Sequence, residues 1–301
     1  MAAAGKGPPA MNVSNLANAA SDERGGAAGD PASRIRLMVS DVDGTLVNKA
    51  KEVTPATVEA VRRLHAAGIA FAAVSARPPR GMKLMVEALN VDLFGGFNGG
   101  SILRRDFSVV EEHFVAAEAA RAGIALMQPR GASIWVFADN EWFVTDPDST
   151  YVAGETRTVA FPPTVVKDFG DHITRAGKIV FSSTDFDMLA ASEPELQALV
   201  GEGATARRSQ AKYLDMTPPG TDKGYAVRAF ARHYGVALDE VAVIGDMSND
   251  LPMFAAGGLA IAMGNGAPEV KEQAHFVTLT NEEDGVAHAI DRFVLPRAPG
   301  R

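Results

Sequence analysis

The stretch Arg34-Ile35-Arg36-Leu37-Met38-Val39-Ser40-Asp41-Val42-Asp43-Gly44-Thr45-Leu46 decides how this chain is read. Ile35 to Ser40 is an apolar run of strand length, and it delivers Asp41 at its end, with Asp43 two residues on. In open parallel sheets ligands sit outside the carboxyl ends of the strands, so carboxylates placed there are candidates for a site.

Two further apolar runs end in the same manner. Ala70 to Val74 delivers Ser75, and Val241 to Gly245 delivers Asp246, followed by Asn249 and Asp250. Helical periods lie between them. Thr54 and Pro55 suit an N-cap and first turn, Val58, Val61 and Leu64 recur at helical spacing, and Gly68 ends the helix. Ile69 to Val74 then reads as a strand, followed by a helix to about Leu89 and a weaker strand near Leu93 to Phe97. Lys223 to Tyr234 reads as a helix with Val227, Phe230, Ala231 and Tyr234 on one face, and Leu259 to Ala262 as a strand. This alternation predicts an α/β fold, a Rossmann-like doubly wound parallel sheet.

Residues 105 to 215 have a different texture. A helix near Ala116 to Leu126 precedes a hairpin, Ile134 to Phe137 and Trp142 to Thr145, joined by Ala138-Asp139-Asn140-Glu141. Lys178 to Phe181 reads as a strand, Asp187 to Val200 as a helix, and 205–209 and 213–217 as two closing strands. The pattern predicts an inserted α+β domain. The core is then discontinuous, over 34–104 and 216–294, with the insertion at 105–215 and a C-terminal tail at 295–301.

Residues 1–33, rich in Ala, Gly, Ser, Asn and Pro, read as a disordered tail. They lack the continuous apolar region of a signal peptide, and Met11 is an alternative start. Asn12-Val13-Ser14 matches a glycosylation acceptor, which has meaning only in a secreted chain.

Composition bounds the function. In 301 residues, 47% are hydrophobic and 22% charged, as in an ordinary globular protein. No stretch approaches the roughly 20 apolar residues of a membrane span. With no cysteine there is no disulfide, thiolate metal site or cysteine nucleophile, which fits a cytoplasmic location. A net charge of −8 argues against nucleic acid as the main partner, since phosphate backbones need a basic footprint.

If the three strands are neighbours, Asp41, Asp43, Asp246 and Asp250 converge on one cleft. Clustered carboxylates repel unless a cation sits among them. Oxygen-only ligands point to a hard cation, with Mg²⁺ the best match. Lys223, opening a helix after Pro218-Pro219-Gly220, adds positive charge. Such a site suits phosphoryl transfer, where positioning and charge neutralisation dominate. Taken singly, each residue has a plainer reading: a turn-forming Asp, a loop Ser75, a solvated Lys223, a helix-capping Asp250.

The same residues resemble a known family. Asp41-Val42-Asp43-Gly44-Thr45-Leu46 is similar to the first motif of the haloacid dehalogenase superfamily. Ser75 resembles the second motif, Asp222-Lys223-Gly224 the third and Gly245-Asp246-Met247-Ser248-Asn249-Asp250 the fourth, while Asn98-Gly99-Gly100 resembles a segment that precedes the cap in one branch. The position and texture of the insertion look like those of the Cof-type (class IIB) phosphatases. This resemblance implies that Asp41 attacks phosphorus and that Asp43 acts as acid and base. It implies Mg²⁺ held by the side chains of Asp41 and Asp246 and the carbonyl of Asp43. Ser75, Lys223 and Asn249 are implied to contact the phosphoryl group, with Asp250 orienting Lys223 or the metal's water shell. Gly44 fits a sharp turn beside the phosphate, where a Cβ would crowd. One departure stands out: Ala76 follows Ser75 where the family usually has Gly, which is expected to tighten the phosphate pocket.

The histidines at 65, 113, 172, 233, 275 and 288 lack metal-ligand spacing and read as surface or helix-face residues. Trp135 and Trp142 read as core of the insertion, with a sugar-stacking platform as the alternative. The functional expectation is a phosphatase acting on small phosphorylated metabolites, sugar phosphates foremost. A phosphomutase and a non-catalytic phosphometabolite-binding protein are the alternatives. Substrate and oligomeric state have no motif.

Overall fold

The computed structural model describes residue 32 and residues 34–300. The expected tail over 1–33 therefore lies outside the described residues, apart from Ala32. The chain opens with β1 (Leu37–Asp41), buried throughout. Alternation along it divides the core: Met38 packs with Val61, Leu64 and Ile290 on one side. Leu37 and Val39 pack with Val227, Phe230 and Phe254 on the other. A strand covered on both faces explains a run with no polar alternation.

Thr54 caps α1 (Pro55–Ala66), its side chain accepting from the Thr57 N–H at 3.2 Å. Next come β2 (Ala70–Val74), α2 (Lys83–Ala88) and β3 (Leu93–Gly96). The single helix expected before Leu89 is instead a 3₁₀ turn at Pro79–Met82 followed by α2, because Pro78-Pro79 removes two N–H donors there. Strand β4 (Ser101–Arg104) adds antiparallel to β3, and β5 (Val109–Glu112) antiparallel to β4.

The chain then forms α3 (Ala117–Met127), β6 (Ser133–Ala138) and β7 (Glu141–Val144). Asp139 and Asn140, with φ of 54° and 60°, make the two-residue turn whose twist matches a hairpin. Then follow α4 (Val152–Val159), β8 (Thr164–Val165), β9 (Lys178–Ser182), α5 (Phe186–Val200), β10 (Thr205–Gln210) and β11 (Tyr213–Thr217). After α6 (Lys223–Tyr234) the chain rejoins the first sheet through β12 (Val241–Gly245), α7 (Leu251–Ala256), β13 (Leu259–Ala262) and β14 (Phe276–Val277).

The larger sheet runs β14-β13-β12-β1-β2-β3-β4-β5 and the smaller one β10-β11-β9-β6-β7-β8. Val39 pairs in parallel with Ala72 on one side and Val243 on the other. The chain therefore winds outward from β1 in both directions, and the switch point between β1 and β12 opens a crevice at their carboxyl ends. The domain limits expected at 104/105 and 215/216 fall inside paired structure: the larger sheet continues to Glu112, and the smaller one to Thr217. A single-sequence reading has no means of assigning those two strands to a sheet. The segment expected as a tail from 295 is also docked. The Arg297 side chain donates to the carbonyls of Ala32 and Phe293, and its guanidinium lies 5.5 Å from the Phe276 ring centre. No described helix is long and apolar enough to cross a membrane.

Candidate active site

The carboxyl ends of β1, β2 and β12 bring together Asp41, Ser75 and Asp246, and the first turn of α6 adds Lys223 beneath them. Asp222 caps α6 by accepting from the Tyr225 N–H at 2.6 Å, which fixes where Lys223 begins the helix. Lys223 is 1% exposed and donates to Asp41 Oδ1 and Asp250 Oδ1, both at 2.5 Å. The other oxygen of Asp250 accepts the N–H groups of Asp246 and Met247 at 2.8 and 2.9 Å. Asp250 is thereby committed on both oxygens, and it positions the lysine rather than reaching outward.

Asp41 differs. Its Oδ2 is buried and has no hydrogen-bond donor among the described residues. One ammonium faces three carboxylates, since oxygens of Asp41, Asp246 and Asp250 lie within 4.8 Å of one another. The consequence is visible in their titration. Burial, together with Asp250 and Asp246, pushes Asp41 up to about 7 against the opposing pull of Lys223. Burial and Asp250 push Asp246 up to about 6. Lys223 moves the other way from its own burial, because Asp41 and Asp250 hold its proton above the usual lysine range. Lys223 therefore stays charged, and protons on Asp41 and Asp246 relieve the crowding of negative charge.

An orphaned buried carboxylate oxygen beside a second carboxylate of raised pKa fits a hard divalent cation, and Mg²⁺ matches that donor set. Asp41 and Asp246 are the side chains free to hold it. Asp246 is braced from two sides, by Thr45 Oγ1 at 3.5 Å and Asn265 Nδ2 at 3.4 Å. Asn265 also donates to the Gly44 carbonyl at 2.8 Å. Gly44 has φ +86°, and a Cβ there would lie 2.2 Å from Asp246 Oδ2. Only glycine lets the turn pass so close to that carboxylate.

Asp43 sits in a different electrostatic setting. Its Oδ1 accepts from Arg77 Nη2 and Lys51 Nζ, each at 2.6 Å, and its Oδ2 from Arg77 Nε at 2.6 Å. Burial alone would raise its pKa, but the Arg77 fork and Lys51 outweigh it and hold the carboxyl below the usual range. Two carboxylates two residues apart therefore titrate in opposite directions.

Ser75 is buried, and its Oγ accepts from the Arg77 N–H at 3.1 Å. Ala76 is exposed and does not have positive φ, so this position accepts an L side chain without strain. Asn249 lies on the exposed rim, its Nδ2 at 3.5 Å from Asn98 Oδ1. Asp41, Asp43, Gly44, Ser75, Lys223, Asp246, Asn249 and Asp250 thus gather at one end of the sheet.

Sequence reasoning missed Arg77, Lys51, Thr45 and Asn265. A charge count was the available signal for the first two: four carboxylates and one lysine demand further cations, and Arg77 stands two residues after Ser75. For Asn265, the signal was its place just beyond β13, the neighbour of β12. None of the histidines joins the cluster. His172 stacks on Phe143 with centroids 3.7 Å apart, and His113 meets the Tyr225 hydroxyl at 2.8 Å. Trp135 and Trp142 are fully buried against each other and Phe137, which makes them core rather than a platform.

A profile of haloacid dehalogenase-like hydrolases matches residues 38–290. A 5-amino-6-(5-phospho-D-ribitylamino)uracil phosphatase of Bacillus subtilis is 26% identical over 285 residues, covering 86% of this chain and 98% of the relative. An HMP-PP phosphatase of Cronobacter sakazakii is 27% identical over 264 residues, covering 86% and 96%. A crystal structure of a haloacid dehalogenase-like hydrolase from Bacteroides thetaiotaomicron superposes with a TM-score of 0.80 at 29% identity, covering 86% of this chain and 99% of that one. The profile, the relatives and the fold agree: this chain belongs to the haloacid dehalogenase-like hydrolases, in the Cof-type phosphatase branch.

Proposed function

We propose that the chain is a Mg²⁺-dependent phosphatase that hydrolyses small phosphorylated metabolites, sugar and sugar-alcohol phosphates foremost, through an aspartyl-phosphate on Asp41. The observation that carries the reading is the buried, donor-free Asp41 Oδ2 beside Asp246, with Lys223 fixed on the opposite oxygen. The B. subtilis relative, whose name gives a phosphorylated ribityl compound as its substrate, supports this substrate class.

In this reading Asp41 and Asp246, with the Asp43 carbonyl, hold Mg²⁺, which when bound neutralises charge on the phosphoryl oxygens. Lys223 and Ser75 bind those oxygens, and Asn249 reaches the phosphoryl group from the rim. An Asp41 oxygen forms a bond to phosphorus as the bond to the leaving oxygen breaks. The proton on Asp43 passes to that alkoxide. Asp43 then takes a proton from water, which attacks the aspartyl-phosphate and releases inorganic phosphate, restoring both carboxyl groups. Because Arg77 and Lys51 hold Asp43 ionised, this ion pair must loosen for Asp43 to carry its proton. A reducing cytoplasm suits a chain with no cysteine.

The test is phosphate release from a panel of phosphorylated sugars and polyols with Mg²⁺, with EDTA, and with Asp41→Asn. Release that requires Mg²⁺ and disappears in the variant supports the reading. Conversion of a 1-phosphate to a 6-phosphate without release would assign the chain to the phosphomutases instead.

A further inference from the structure

The smaller sheet has two unlike faces. One carries Leu214, Met216, Ile179 and Phe181 and is covered by α3 and α5. The other carries Trp135, Val180 and Tyr213 and packs with Phe97 of the core. This second face meets the active-site side of the larger sheet. A Cβ at Gly81 would lie 3.0 Å from the Val159 carbonyl of α4, and Arg80 pairs with Glu141.

In this mainly apolar face sits an ion pair. Lys178 Nζ lies 2.7 Å from Asp215 Oδ2, with side chains 14% and 10% exposed. Strand alternation puts Asp215 on the same face as Tyr213, away from Leu214 and Met216. Asp215 Oδ1 is buried and has no donor among the described residues. A Cβ at Gly177, next to Lys178, would lie 3.0 Å from the Phe97 ring, and the Phe97 N–H donates to the Arg77 carbonyl at 2.9 Å. The ion pair thus lies toward the loop that carries Arg77, the arginine that grips Asp43.

We propose that Asp215 and Lys178 form the subsite for the leaving group, and that it selects polyhydroxylated carbon skeletons. This rests on the phosphatase reading. The physical reason is donor–acceptor matching. A carboxylate or ammonium on the substrate would meet one like charge in a pair only 2.7 Å across. A neutral diol satisfies both members: one hydroxyl donates to Asp215 Oδ1 and its neighbour accepts from the Lys178 ammonium. A buried polar site of this kind rejects substrates that lack the hydroxyls, because its groups are then left unpaired.

The test compares kcat/KM for sorbitol 6-phosphate with that for p-nitrophenyl phosphate, in the wild type and in Lys178→Met/Asp215→Leu. The double change avoids stranding one buried charge. The ratio of the two constants is expected to fall about 100-fold, a loss typical of removed hydroxyl recognition. Measurable p-nitrophenyl phosphate turnover shows that the variant is folded. If the variant does not fold, Asp215→Asn carries the test, with a ratio lowered about tenfold. A ratio unchanged in the folded variant overturns the subsite. A wild type that releases phosphate from neither ester overturns the phosphatase reading itself.

Discussion

Residue by residue, the site is a charge problem, with three carboxylates around one ammonium. Asp41→Asn is expected to abolish phosphate release, by about 10³-fold or more, because an amide cannot act as the nucleophile. It is also expected to leave the metal-free thermal midpoint unchanged or higher, since it removes one of three crowded carboxylates while Asp250 keeps Lys223 paired. A metal-free midpoint lowered by several degrees would contradict this account. Arg77→Met strips the fork from Asp43, whose carboxyl is then expected to titrate at higher pH, read by carboxyl-carbon NMR. An unmoved titration would show that Lys51 alone sets the charge state. The first carboxylates were legible because each ends an apolar run. Arg77 was not, because an arginine in a loop has no local signature; its role arises only when a loop of β2 folds over a loop of β1.

Elements supply the geometry that the residues need. Gly44→Ala forces a methyl into a +86° φ and onto Asp246. The expected result is an activity loss of about 10²-fold, with weakened Mg²⁺ binding and a stability cost of about 1–3 kcal/mol from strain. Activity within threefold of wild type would mean that the turn relaxes. Asp222→Ala removes the cap of α6 and is expected to cost about 1 kcal/mol. Because Lys223 is the first helical residue, kcat should fall with it; a midpoint shift without a kcat change would separate cap from catalysis. Helices with regular apolar spacing were readable, and α6 matches its expected span residue for residue. Helix α4 was not. Its Thr156, Thr158 and Val159 favour strands, and Thr156 and Thr158 turn their hydroxyls back to the Val152 and Gly154 carbonyls, at 2.9 and 3.2 Å. Packing against the core, not propensity, makes it helical.

Across the whole molecule, the raised carboxylates tie stability to pH. Asp41 and Asp246 keep protons in the folded state up to about 7 and about 6, against 3.8 in the unfolded chain. Their contribution therefore falls as pH rises from about 4 to about 7, the reverse of a salt-bridged aspartate. Mg²⁺ competes with those protons, so its stabilisation should grow over the same window. At 100 times Kd and pH 8 the midpoint should rise by about 5 °C or more over EDTA, and at pH 5 by much less. Equal shifts at both pH values would remove these carboxylates from the metal site.

The sequence by itself determined the alternation of strands and helices, the inserted domain and the carboxylates at three strand ends, because apolar runs, caps and motifs are local and survive without neighbours. Tertiary structure alone decided which strands belong to which sheet, and that Asp250 is spent on Lys223 while Asp41 keeps a free oxygen. It also brought Arg77 onto Asp43, and Lys178 of β9 beside Asp215 of β11. Each of these depends on contacts between residues tens to hundreds of positions apart, and their energies come from burial and charge that exist only once the chain has closed on itself.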